Sequence, residues 1–318
     1  MDRLGIVWRL LFPWYISGVL LAAAGILIGY VIFFHIFPGK PEIGIINIPG
    51  TRITDRTAST IGEFLDFARD EDSIKAVVIK MSSGGGGAAA SEKLFLKTVE
   101  LRGKKPVVVV VQGVTASGAY MWSMGANYVY AKPTSLIGSV GAVFQLPSLP
   151  RPDEDIVFTG PAKRTGAPKR TFVEILEMVK ESFLDIVMSQ RGDKLQISRE
   201  ELAQARLYPG MEAVRLGLAD EIGSDIDAIK KAAGLAGVSN YDLVDVNAEV
   251  LRLFIQKLKR IFDISVTDDP AQMATQVESL TEFLSTWPGV ASGEEDLPGL
   301  PNEIDLPQFY YYYVPPSE

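Results

Sequence analysis

The 318-residue chain contains no cysteine and a single histidine, His35. A protein without thiols carries no redox preference, so either side of a membrane is open to it. The lone histidine closes an apolar N-terminal stretch, far along the sequence from any motif that suggests catalysis. A serine nucleophile in this chain must therefore pass its proton to something other than imidazole. A lysine held neutral by its surroundings is the chemical alternative. There is no internal repeat, and no basic, aromatic-interleaved patch points to nucleic acid. Nothing in the sequence calls for a cofactor or a metal ion.

Basic residues are missing from Asp263 to Glu318, where 11 acidic residues stand. The whole chain has a formal net charge of −8, yet 28 of its 39 acidic residues lie outside this tail, against all 31 basic ones. Acidity thus belongs to the tail and says nothing about the partners of the folded part. The tail is also rich in Pro, Gly and Ser, the composition of a largely disordered linker. It ends in Leu306-Pro-Gln-Phe-Tyr-Tyr-Tyr-Tyr-Val314. That β-prone aromatic segment fits an extended strand added to a groove, or equally a plain sticky terminus.

Charge is absent between Arg9 and Lys40, and residues Leu10 to Phe37 are nearly all apolar. As a helix, Tyr15 to Phe34 spans about 30 Å, the thickness of a bilayer core. Trp14, Tyr15, Phe33 and Phe34 stand near its ends, where aromatic belts sit. No small-x-small cleavage site follows the run, so the reading is a retained single anchor rather than a cleaved signal peptide. Arg3 and Arg9 precede the span and Lys40 alone follows closely. The positive-inside rule then predicts a cytoplasmic N-terminus and an extracytoplasmic remainder, a single-pass protein of the cell membrane.

Four domains follow: anchor and linker (1–41), a globular α/β domain (42–247), an amphipathic helix (248–262) and the acidic tail (263–318). In the globular part, Ile43–Ile48, Ile74–Met81 and Pro106–Gln112 read as buried strands. Their runs do not alternate, which predicts parallel strands covered on both faces. Thr57–Arg69, Ala90–Leu101 and Thr171–Arg191 have helical spacing. Tyr128–Ala131 and Asp155–Thr159 read as further strands, and shorter helices are expected at 200–205, 211–216 and 225–233. Leu251, Phe254, Ile255, Leu258 and Phe262 form one side of the 248–262 helix. It suits packing on its own domain or a neighbouring subunit, or lying on a membrane surface.

Three segments carry chemistry. Met81-Ser-Ser-Gly-Gly-Gly-Gly87 follows a strand and precedes a helix, so its backbone N–H groups can approach an anion or an oxyanion without Cβ obstruction. No Gly-Lys-Ser/Thr follows, and the spacing fits no dinucleotide fingerprint; by itself the run fits a flexible turn equally well. Ser117-Gly118 opens a helix at the carboxyl end of a strand, where α/β proteins gather functional groups. Ser117 by itself also fits an ordinary N-cap. Thr159-Gly-Pro-Ala-Lys-Arg-Thr-Gly-Ala-Pro168 holds Lys163, which needs a pKa several units below about 10.4 to act as a base near neutral pH. Taken locally it is also a solvated basic loop.

Together with Gly138-Ser-Val-Gly141, Gln190-Arg-Gly192 and the Ala205–Gly223 stretch, these motifs resemble the signal peptide peptidase A family. Its members are membrane-anchored serine/lysine proteases of the Clp-protease/crotonase superfamily. The resemblance runs from about Glu42 to Ala233, with the motifs in the family's order. It implies a repeated β-β-α spiral, Ser117 as nucleophile and Lys163 as general base. Lys163 is preferred to Lys169 because it fills the lysine place between Thr159-Gly160 and Gly166-Ala-Pro168. The resemblance further implies an oxyanion hole from the Gly85 and Gly118 N–H groups, with Ser139 orienting the lysine. A homo-oligomeric ring acting on hydrophobic peptides, such as signal-peptide remnants, and on unfolded membrane-proximal proteins is implied as well. Ser83 stands where the family usually has proline, which predicts a looser glycine turn, and Ala119 stands in place of a second glycine after Ser117-Gly118. Crotonase-type acyl-CoA enzymes normally lack both the anchor and the Ser-Gly/Lys pair. A stomatin-associated membrane protease and an inactive membrane scaffold of the same fold are the competing readings.

Overall fold

The structure, a computed structural model, describes residues 14–36, 39–144, 159, 169–262 and 309–312. Its centre is a mixed α/β assembly around one sheet. β1 (Glu42–Ile48), β2 (Ile74–Ser83), β4 (Val107–Ala116), β5 (Tyr128–Ala131), β9 (Glu221–Ile222) and β10 (Asp242–Asp245) run in the order β10-β1-β2-β4-β5-β9, every neighbour parallel. β6 (Leu136–Gly138) pairs in parallel with the far end of β4, and β8 (Leu207–Pro209) lies antiparallel to β6.

The all-apolar strands are explained by the layers on either side. Val77, Ile79, Met81, Val107, Val109 and Val111 face a core shared with α2 (Asp55–Asp70) and α3 (Ala88–Lys104). Their chain neighbours Ala76, Val78, Val108 and Val110 face Ala228, Ala232 and Ala233 of α8 (Asp225–Leu235). Period-two side chains thus fill two cores from one strand, and an alternating polar face has no place. Burying each of the five valines Val107 to Val111 contributes roughly 1.5–3 kcal/mol relative to leaving it in water. α4 (Gly118–Ser123), α5 (Lys169–Arg191), α6 (Arg199–Leu202) and α7 (Gly210–Arg215) complete the main body.

The final helix, α9 (Val246–Phe262), packs on α2 and β1 and buries Val246 and Ile255, while Leu251 and Phe254 of its expected apolar side stay exposed. At the other end, α1 (Trp14–Ile36) is 23 residues of helix without a charged side chain. Its placed side chains, Gly18 to Tyr30, are all exposed. Among the described residues no helix is long and apolar enough to cross a membrane. The expected strand at 155–159, apart from Thr159, and the 263–308 linker lie outside the described residues.

A second sheet has three strands in the order β3-β11-β7: β3 (Gly85–Gly87), β11 (Phe309–Tyr312) and β7 (Val143–Phe144). The run of glycines expected as a turn is therefore partly a strand.

Candidate active site

Strand register brings three of the expected site residues to one edge. Ser83 of β2 pairs with Thr115 of β4, so Gly85 and Ser117 each stand two residues beyond the same rung. Ala116 of β4 pairs with Gly138 of β6, so Ser117 and Ser139 each stand one residue beyond the next. A backbone bond from the Ser117 N–H to the Gly138 carbonyl, 2.8 Å, closes this junction. Residues separated in sequence thus meet at the carboxyl ends of three adjacent strands.

Their backbones share a second property. Gly85 (φ 95°), Ser117 (φ 54°) and Ser139 (φ 56°) all occupy positive φ, and among the described residues the only other non-glycine there is Ala205 (φ 55°). A side chain held in this region costs on the order of 1–3 kcal/mol and persists only where its surroundings over-determine it; such outliers cluster at functional sites. Ala205 is adjacent too, because the next carbonyl, that of Arg206, accepts from the Ser139 N–H at 2.7 Å.

Ser117 is not an ordinary helix cap. A capping serine is extended and its Oγ accepts from the first turn; Ser117 has ψ −125° and makes no side-chain capping bond. It is 1% exposed. The short helix it opens is anchored from below. The Tyr120 hydroxyl donates to the Leu218 carbonyl at 2.9 Å, and the Trp122 indole N–H donates to Thr98 Oγ1 at 2.8 Å. Burial raises the Tyr120 phenol well above its ordinary pKa, so it remains a neutral donor. Gly118 begins the helix, where a first-turn N–H has no intrahelical acceptor.

The glycine strand is held by the segment after β1. The Ile53 N–H donates to the Gly85 carbonyl at 3.0 Å, and the Gly87 N–H donates to the Ile53 carbonyl at 2.8 Å. A Cβ on Gly86 would lie 1.8 Å from that same carbonyl oxygen, so only glycine permits the clamp. Ser83, expected to loosen the turn, tightens it. Its hydroxyl donates to the Thr51 carbonyl at 2.5 Å and accepts from the Gly85 N–H at 3.1 Å. A substrate oxygen at Gly85 must therefore share or displace the Ser83 hydroxyl. The roles of Thr51 and Ile53 have no signature in sequence; they emerge only when β1 and β2 are laid side by side.

The motif residues Arg191 and Asp220 serve the fold below the site. Arg191 Nη1 donates to Asp220 Oδ2 at 2.9 Å and its Nε to the Gly217 carbonyl at 2.6 Å, while Asp220 also accepts from the Val129 N–H at 2.8 Å and Lys194 Nζ at 2.7 Å. Burial pushes the Asp220 carboxyl up, but Arg191 and these donors outweigh it and leave the group below the ordinary carboxylate range.

Lys163 lies outside the described residues, so the structure does not place it relative to Ser117. Lys105 has its pKa lowered by burial, but its ammonium bonds the Ala68 and Glu71 carbonyls at the amino end of β4, the opposite edge from Ser117. Among the described residues no cluster of His, Cys, Asp or Glu could hold a metal ion.

Peptidase family S49 matches residues 100–239. A protein of Methanocaldococcus jannaschii whose name marks it as a candidate protease is 36% identical over 198 residues, 58% of this chain and 64% of its own length. Protease 4 of Haemophilus influenzae is 32% identical over 215 residues, 61% of this chain and 35% of the relative. The chain thus spans less than two thirds of the length of these relatives. Among solved structures, a membrane-bound stomatin-specific protease, as a variant in complex with a substrate peptide, superposes with a TM-score of 0.46 at 17% identity, covering 65% of this chain and 93% of its own.

Proposed function

Because this chain is a relative of the peptidases of family S49, we propose that it is a serine peptidase whose nucleophile is Ser117 and whose general base is Lys163. The observation that carries the reading is the buried, strained Ser117 at a strand-to-helix junction, without a cap bond and beside a glycine strand. A serine that merely capped the helix would relax into extended backbone and bond the first turn. This one is held out of that arrangement.

Neutral Lys163 Nζ takes the Ser117 Oγ proton as the oxygen attacks a peptide carbonyl. The tetrahedral oxyanion is stabilised by N–H groups of Gly118 and Gly85, the latter shared with Ser83. The lysine ammonium returns its proton to the departing amine, and water then releases the acyl group from Ser117 by the same base. Ser139, one residue beyond the rung that also leads to Ser117, orients the lysine. The domain at 42–247 adopts the Clp-protease/crotonase-like spiral and assembles as a homo-oligomeric ring. The apolar run Leu10 to Phe37, longer than the Gly18–Tyr30 stretch whose side chains the structure describes, anchors it in the lipid as a single span of the cell membrane, with the catalytic domain extracytoplasmic. Hydrophobic peptides and unfolded membrane-proximal proteins are its substrates, and signal-peptide remnants belong to that class.

Labelling of the full-length protein with a serine-directed fluorophosphonate tests this reading. Label is expected on Ser117 and is lost in both Ser117→Ala and Lys163→Ala. Label that survives in a folded Lys163→Ala protein would overturn the dyad.

A further inference from the structure

The two short strands that flank the site have little to pair with. β7 has a strand partner on one side only among the described residues, and β3 is otherwise bound by the single Ile53–Gly86 bridge. What joins them is β11, the chain's own C-terminal segment, which forms the middle strand of the sheet. Tyr310, Tyr311 and Tyr312 lie antiparallel to Gly87, Gly86 and Gly85, while Phe309 and Tyr310 lie antiparallel to Phe144 and Val143. β11 also runs alongside α3 and α4, the helices that begin after the glycine strand and after Ser117. Its backbone therefore lies in a slot bounded by β3, β7, α3 and α4.

An open pair of edges a strand's width apart is a receptor for an extended peptide, because main-chain hydrogen bonds supply affinity on both sides. We propose that the slot between β3 and β7 is the substrate cleft of this peptidase and that segment 309–312 is its resting occupant, a tethered competitor of substrate. The assignment rests on the peptidase reading above. It also sets the direction of a bound substrate. Tyr312 pairs with Gly85, two residues beyond the Ser83–Thr115 rung from which Ser117 also departs, whereas Phe309 pairs with Phe144. The chain in the slot thus runs toward Ser117 in its N-to-C direction. Residues on the amino side of a scissile bond take the places opposite Gly87 to Gly85, and the acyl group transferred to Ser117 is the one held by the ladder.

The connection is long enough to permit this. α9 ends at Phe262, and residues 263–308 extend to at most roughly 150 Å. Tethering makes the segment's binding intramolecular, at an effective concentration set by the length of the connection, so even a weak strand contact competes with dilute peptide.

The test is binding of a fluorescein-labelled peptide with the sequence Leu306 to Val314, followed by anisotropy, in a Ser117→Ala background that excludes turnover. The chain lacking residues 309–318 is expected to bind it about tenfold more tightly than the full-length chain. A full-length Tyr311→Pro protein, which removes one N–H from the ladder, is expected to behave like the truncation. Equal binding to all three proteins, or binding to none, would overturn the proposal. Fluorophosphonate labelling separates this outcome from the wider reading. If Ser117 labels while the peptide does not discriminate, only the cleft assignment falls. If Ser117 never labels while the peptide discriminates, the peptidase reading falls and the cleft stands.

Discussion

Three of the described helices begin at a serine: Ser198 and Ser224 cap theirs with a side-chain bond, and Ser117 does not. At Ser224 the backbone is extended (φ −100°, ψ 175°), Oγ accepts from the Asp227 N–H, and the Asp227 carboxylate accepts in return from the Ser224 N–H. At Ser117 the φ is 54° and no capping bond forms. Both positions read in sequence as a small polar residue ahead of a helix. The difference teaches that a serine used to start a helix is placed by local hydrogen bonds. The other is placed by the sheet: β4 and β6 fix its backbone from outside.

The sharpest way to break this comparison is Ser117→Ala. Its removal is expected to lower peptidase turnover by at least ~10³-fold while thermal unfolding stays close to wild type. A loss of stability on the scale of a missing cap, with activity retained, would make Ser117 a cap after all. Next in size is Asp220→Asn, which leaves the Arg191 guanidinium buried against an uncharged partner and should cost about 3 kcal/mol in urea unfolding. Because the Asp220 carboxyl lies below its ordinary range when folded, its contribution is present above about pH 4 and is lost as pH falls through the lowered folded value. The stability gap between wild type and Asp220→Asn should therefore close in acid, measured as Tm against pH. A gap that widens in acid would assign the pair the wrong sign.

Ser224→Ala should cost about 1 kcal/mol of stability and leave turnover per folded molecule unchanged. The smallest effect is the most diagnostic. Ser117→Gly relieves about 1–3 kcal/mol of backbone strain and gives back part of it through chain entropy, for a net gain of about 1 kcal/mol or less. It should raise the urea midpoint slightly while abolishing turnover. A lowered midpoint would show that the positive φ at Ser117 is not strained.

The Val107–Val111 run was legible because five consecutive buried Val residues have no other use than a doubly covered strand. The glycine run and Ser117 were legible as candidates, and parallel pairing then explains why they meet. Ser139 was legible only through the family's motif; its positive φ depends on Arg206, a distant residue with no local signal. At Ser83 the sequence predicts a looser turn and the fold shows a tighter one, because a hydroxyl in place of a ring removes rigidity locally but adds two hydrogen bonds across the fold. The strands β6 to β10 escaped because two to four residues cannot show a period, and Asp242–Asp245, which joins β1 at the sheet's edge, is largely exposed and partly acidic. Pairing of β11 with the glycine strand spans more than two hundred positions, beyond the reach of any local pattern.

The positive φ of Ser117 has an evolutionary edge. Exchange for glycine at this position relieves the backbone, so a lineage that ceased to need the hydroxyl would gain stability by discarding it. Drift alone pushes this site toward a dead but sturdier protein. A strained serine still in place therefore weighs against a fold kept only as a scaffold.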